Sequence, residues 1–379
     1  MNFSALTKYL NALAPEKIPG CDIEIRQCYQ PIYRHAAGAG REGTPVMGDE
    51  IYWLYSSTKL FTATATMQMI ERGAFQLDTP VAEFLPEYAN LTVRDGDQIR
   101  PARTTLTIRH LLSMQGGLDY DMNAPEIVAA RARLGEKAST RDMVAAFAER
   151  PLCFDPGTHF LYSLCHDVLA AVIEQASGMR YEEHLKKNIF APLGIQNMTT
   201  HPTEAHFAKM AKRFTWQPEG DVCVPTDQRS NVYRLSDAYE SGGAGLVGGL
   251  DDYMRLPEAL ANGGVGRTGA QILKPETIDL MRTDQLRGAS RWDFDQMERT
   301  GYSYALGVRT MVDNAKAKSP VGEFGWDSAV GAWIMVDTMR HISVVFMMHV
   351  LACGPAYFVY HPTIRDLVYE GINSGEDRG

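Results

Sequence analysis

The segment from Ile51 to Gly73 constrains the fold most, because its apolar period changes once and the change falls on a polar pair. Ile51-Tyr52-Trp53-Leu54 reads as an extended run. Leu60, Phe61, Ala63, Ala65, Met67, Met69 and Ile70 then recur over a broad face, the pattern of a buried helix. Arg72 and Gly73 mark its end, a cation near the last carbonyls followed by a residue free to take a left-handed cap. With Ser56 at the helix mouth, Lys59 lies one turn on, on the same face. A hydroxyl beside an amine, at the positive end of a helix dipole, is a workable nucleophile and base. The same residues also read as an ordinary N-cap and a solvated first-turn lysine, and roughly one Ser-x-x-Lys is expected by chance in a chain of this length.

The rest of the chain narrows the choice. Its 379 residues suffice for a large core and two lobes. A net charge of -9 disfavours nucleic acid or an anionic membrane as the main partner. No apolar run reaches the length of a membrane helix, so membrane insertion is not expected. The start, Met1 to Lys8, shows no basic residues followed by an apolar block; a cytoplasmic protein is expected, with a removed leader left open. Cys21, Cys28, Cys153, Cys165, Cys223 and Cys353 form no C-x-x-C pair and read as free thiols.

In chain order, residues 3–13 form a short amphipathic helix. Two strand-like runs follow, Asp22 to Gln27 and Pro31 to His35, before a turn at Ala36-Ala37-Gly38-Ala39-Gly40. The middle is mostly helical, with starts at Thr107 and Ser139 and a helical run from Asp167 to Gln175. Past about residue 225 strands return: Ser303 to Val308, Trp333 to Val336 and Ile342 to Met348, with Arg340-His341 as a tight hairpin connection. Pro362 to Ile372 closes the chain as an amphipathic helix. The expected architecture is one α+β unit: an antiparallel sheet flanked by helices from about 1–55 and 231–379, with an inserted helical lobe over about 56–230.

Two further stretches carry candidate chemistry. Pro156-Gly157 makes a turn that presents Tyr162 just before a helix, as a core residue or as a proton relay to a serine and a lysine. Gly322 to Gly331, containing Trp326-Asp327-Ser328-Ala329, reads as a glycine-rich bend, or as an edge strand offering a backbone N–H to an oxyanion. Gly243-Ala244-Gly245-Leu246-Val247-Gly248 fits G-x-G-x-x-G, but no apolar strand precedes it, so no dinucleotide cofactor is expected. No H-E-x-x-H or G-x-S-x-G occurs, and no metal is expected.

The order and spacing of these motifs resemble the serine β-lactamase and penicillin-binding protein superfamily, nearest to its class C branch and the related family VIII-like carboxylesterases and acyltransferases. Glu71-Arg72-Gly73 with Leu77-Asp78-Thr79-Pro80-Val81, Thr107 to Gly117, Phe160-Leu161-Tyr162-Ser163 and Gly242-Gly243-Ala244-Gly245-Leu246 extend the resemblance over nearly the whole chain. It implies a β-lactamase/transpeptidase-like fold, with Ser56 as nucleophile and Lys59 and Tyr162 as its proton-transfer partners. It implies an oxyanion hole from the backbone N–H groups of Ser56 and Ala329. Two motifs depart from the family pattern. Leu164 stands where Tyr-x-Asn has its amide, and Trp326-Asp327-Ser328 replaces a strand motif that begins with Lys or His and ends in Gly. Leu164, His166, Trp326, Asp327 and Ser328 are therefore the candidates for lining the cleft, His166 reading more readily as structural. The expected activity is an esterase-type serine hydrolase acting on small esters or amides without a cofactor. The alternatives are a β-lactamase or D-amino-acid peptidase, or a catalytically impaired penicillin-recognising protein.

Overall fold

The computed structural model describes residues 1–41 and 43–374. Both ends of the chain contribute to one seven-stranded, wholly antiparallel sheet. Its strands are β1 (Gly20–Gln27), β2 (Gln30–Gly38), β3 (Tyr302–Tyr304), β4 (Arg309–Met311), β5 (Phe324–Gly325), β6 (Trp333–Asp337) and β7 (Ile342–Met347), in the spatial order β2-β1-β7-β6-β5-β4-β3. Alternation decides what each face meets. Trp333, Met335, Val344 and Phe346 join a cluster with Leu6 and Leu10 of α1 (Ser4–Leu13) and with Ile364 and Val368 of the closing helix His361–Asn373. Ile334, Val336, Val345 and Met347 point the other way, into the larger core shared with the middle of the chain. Both faces are covered, so β6 and β7 read as continuous apolar runs rather than alternating ones.

The hairpin expected around Arg340-His341 is present, β6 pairing with β7 from Trp333↔Phe346 to Asp337↔Ile342. The turn expected over residues 36–40 is not: β2 continues to Gly38, paired with Gly20. The small residues serve a close approach instead. A Cβ on Gly38 would sit 2.2 Å from the Pro19 carbonyl oxygen, and its φ is +76°. The middle is helical as expected but also carries hairpins at Thr92–Asp95/Gln98–Pro101 and Arg213–Gln217/Val222–Thr226. These strands are short and largely half-exposed or exposed, which leaves little apolar patterning to read.

The helix after Ser56, α2 (Thr58–Glu71), is enclosed: every residue from Thr58 to Met69 is buried. Its threonines are accommodated by local bonds, Thr64 and Thr66 each donating to the carbonyl four residues back. Its mouth is anchored from three sides. Ile51–Trp53 pairs antiparallel with Val247–Gly249, Thr58 Oγ1 accepts from Leu246 N, and Tyr253 donates to the Ser57 carbonyl at 2.8 Å. A single 3-10 turn, Tyr55–Ser57, links strand to helix.

Candidate active site

Ser56 lies in that 3-10 turn and is partly accessible, while its neighbours on both sides are buried. Tyr55 before it has φ +42°, uncommon for a residue with a side chain. Its hydroxyl accepts from Arg213 at 2.6 Å, and its ring packs edge-on against Tyr233. Strain held by surrounding contacts is a recurring feature of functional turns.

Lys59 is fully buried. Its Nζ lies 3.3 Å from Ser56 Oγ, 2.9 Å from the Tyr120 hydroxyl and 2.8 Å from the Gly243 carbonyl oxygen. It also sits over the Tyr162 ring, 4.7 Å from the centroid. Burial drives the ammonium down to about 7, with the Asp167 carboxylate acting in the opposite direction. A lysine able to lose its proton near neutrality therefore stands beside the Ser56 hydroxyl.

The Tyr162 hydroxyl accepts a 2.9 Å hydrogen bond from Trp326 Nε1 and reaches Ser56. Burial pushes this phenol above its ordinary value, so at neutral pH it keeps its proton. Tyr162, Trp326 and Tyr304 form a continuous aromatic wall, and Tyr120 and Tyr233 extend it on the other side.

The segment after β5 faces both ways, as a strand must. Trp326 points to Tyr162, whereas Asp327 points away from Ser56 into a separate cavity, where Arg299 and Arg309 contact it at 2.8 and 3.0 Å. Ser328 is buried and donates to the Leu54 carbonyl at 2.8 Å, tying this strand to the turn that carries Ser56. The N–H groups of Ser56 and Ala329 meet no backbone acceptor among the described residues. Leu164 is buried and lines a small void with Leu118, Ile127 and Phe147, away from Lys59. His166 is buried, and neither ring nitrogen has a hydrogen-bond partner. Burial drives its protonation far down, so it is neutral, packed against Gly307.

Three contributors were not assigned to the site from sequence. Tyr120 follows the Gly116-Gly117 turn and reaches Lys59 from another element. Gly243 accepts from Lys59, and a Cβ there would lie 2.5 Å from Asp167 Oδ2. Asp167 is fully buried and accepts from Tyr239 at 2.7 Å and Ser241 at 2.6 Å, which holds the glycine turn in place. The Gly242 to Leu246 motif pointed to this turn, but nothing local linked it to Asp167. A cavity of about 550 Å³ opens beside Tyr120 and Tyr233, with Arg131 and Arg234 at its mouth.

Known proteins resemble this chain over most of its length. The family model described as Beta-lactamase matches residues 9–357. Esterase EstB of Burkholderia gladioli is 29% identical, covering 94% of this chain and 92% of its own length. Monacolin J acid methylbutanoyltransferase of Aspergillus terreus is 29% identical over 73% of this chain and 69% of its own. Among solved structures, EstCE1, described as a hydrolase with promiscuous acyltransferase activity, superposes with a TM-score of 0.80 at 26% identity, covering 97% of this chain and 98% of that one. The chain belongs to the beta-lactamase family and is a β-lactamase-like serine hydrolase.

Proposed function

We propose that the protein cleaves small carboxylic esters through an acyl-enzyme on Ser56. The observation that carries this reading is the contact of a fully buried, easily deprotonated Lys59 with the Ser56 hydroxyl. Neutral Lys59 accepts the Ser56 proton as Oγ attacks the carbonyl carbon. The developing oxyanion is held by the backbone N–H groups of Ser56 and Ala329. As the tetrahedral species collapses, the leaving alkoxide takes a proton through Tyr162, whose O–H is oriented because Trp326 occupies its lone pair. A second nucleophile then releases the acyl group and regenerates Ser56. Water completes hydrolysis. An alcohol in its place completes acyl transfer, a second outcome favoured by the likeness to the methylbutanoyltransferase. Trp326, with no cation at that position, favours esters over β-lactams, whose carboxylate needs an anchor on this strand.

The test is intact-mass analysis after a fluorophosphonate probe, followed by turnover of p-nitrophenyl acetate and butyrate beside a chromogenic cephalosporin. One adduct at Ser56 and faster ester than cephalosporin turnover are expected. Absence of labelling would overturn the proposal, and faster cephalosporin turnover would replace it with a β-lactamase.

Two further results are expected at this site. Because Lys59 acts as a base only when neutral, kcat/KM for the ester rises with pH through about 7 and falls about tenfold per unit below it. A pH–rate profile between pH 5 and 9 checks this; a flat profile would exclude Lys59 as the base. Trp326→Phe removes the donor to Tyr162 while keeping an aromatic wall, and kcat is expected to fall about tenfold with little change in KM.

A further inference from the structure

A large cavity lies away from Ser56. It encloses about 670 Å³ on the opposite side of the β5–β6 connection, between the sheet edge and the start of the closing helix. Its walls are aromatic: Tyr302, Trp333, Tyr357 and Phe358. Its lining is rich in charge, with Arg299 and Arg309 paired to Asp327 and Arg365 to Asp366. Arg299, Arg309, Arg365 and Lys316 line it against Asp327, Asp366 and Glu298, four cations to three carboxylates. Arg309 is almost wholly buried and Arg365 nearly so.

These guanidinium groups are laid against rings. The Arg299 Cζ lies 4.5 Å from the Tyr357 centroid, and that of Arg309 lies 5.0 Å from Tyr302. Asp327 accepts from Arg299 and Arg309, which fixes their planes. Even so, Arg299 Nε and Arg309 Nε are buried with no partner. Lys316, at the exposed mouth, makes no ion pair or side-chain hydrogen bond among the described residues. An interior that aligns aromatic faces with cations, leaves guanidinium donors unused and keeps a cation at its entrance is more than packing requires. Its volume falls in the range of small-molecule sites.

We propose that this cavity is a second ligand site, separate from the acyl-transfer cleft, for a small aromatic carboxylate. The rings take the ligand's flat body, and the carboxylate lies toward Arg299, Arg365 and Lys316. The site does not depend on the role given to Ser56. It does touch the same strand: Asp327 lies between Trp326 and Ser328, and Tyr357 donates to the Ser328 carbonyl at 2.8 Å.

The probe is 2-naphthoate, titrated into the full chain by calorimetry, with 2-naphthamide as its neutral isostere. Saturable binding with a Kd of about 0.1–1 mM is expected, and the amide is expected to bind at least about tenfold more weakly. Lys316→Glu, an exposed change, is expected to weaken naphthoate roughly three- to tenfold. Arg131→Glu, in the separate cavity beside Tyr120, is expected to leave it unchanged. No saturable binding at about 5 mM, far above the expected Kd, would overturn the proposal. Equal binding of the amide would do the same, as would sensitivity to Arg131→Glu without sensitivity to Lys316→Glu.

Discussion

Ser56→Ala is expected to lower kcat/KM for p-nitrophenyl butyrate by roughly 10⁴-fold or more, with an unchanged melting temperature. The hydroxyl is small, partly accessible and bonded only within the site, so its loss removes chemistry and not packing. Lys59→Met is expected to cost nearly as much activity, because it removes the amine 3.3 Å from Ser56 Oγ that takes the proton. The double variant is expected to be no worse than the poorer single one, since serine and base act as a unit. Steady-state kinetics on the three variants checks this. Independent, multiplying losses would mean that the two residues serve different steps.

The largest expected loss of stability lies on the other face of the sheet. Arg309 is buried, contacts Asp327 at 3.0 Å and Glu323 at 3.4 Å, and donates to the Ile334 carbonyl at 2.9 Å. Burial acts to raise the Asp327 carboxyl, but Arg299 and Arg309 hold it below the ordinary carboxylate value. Glu323 is pushed upward by burial. Arg309→Met keeps the bulk of the side chain and leaves both carboxylates short of a cation. A loss of about 3–5 kcal/mol is expected, because breaking one partner out of a buried pair strands the other charge. This corresponds to a melting temperature lower by roughly 4–6 °C, measurable by calorimetry. An unchanged melting temperature would mean that Arg299 alone neutralises this cluster.

How much of this was legible before the structure depends on the range over which each relation acts. The contact of Ser56 with Lys59 is set within one helical turn, so the sequence spacing carries it. The hairpin of β6 and β7 is likewise local. Tyr120 meets Lys59 only because separate segments pack together, and no short-range pattern records that. Asp167 and Gly243 meet in the same way. Asp327 shows a different limit. A motif read as a string treats Trp326, Asp327 and Ser328 as one lining, but a strand sends neighbours to opposite faces. Trp326 meets Tyr162, and Asp327 belongs to the arginine cluster behind it. At residues 36–40 the small side chains suggested a turn, whereas they permit a close approach of β2 to the chain before β1.

The enclosure of Lys59 also governs what reagents can reach it. Its amine is sealed beneath Tyr120, Tyr162 and the Gly243 turn, whereas lysines such as Lys186 and Lys209 extend into solvent. The same burial that lowers its proton affinity also withholds the amine from acyl donors in solution. Acetylating reagents and reactive thioesters are therefore expected to decorate the surface lysines while leaving the one in the site unmodified, so the enzyme can handle acyl groups without capping its own base.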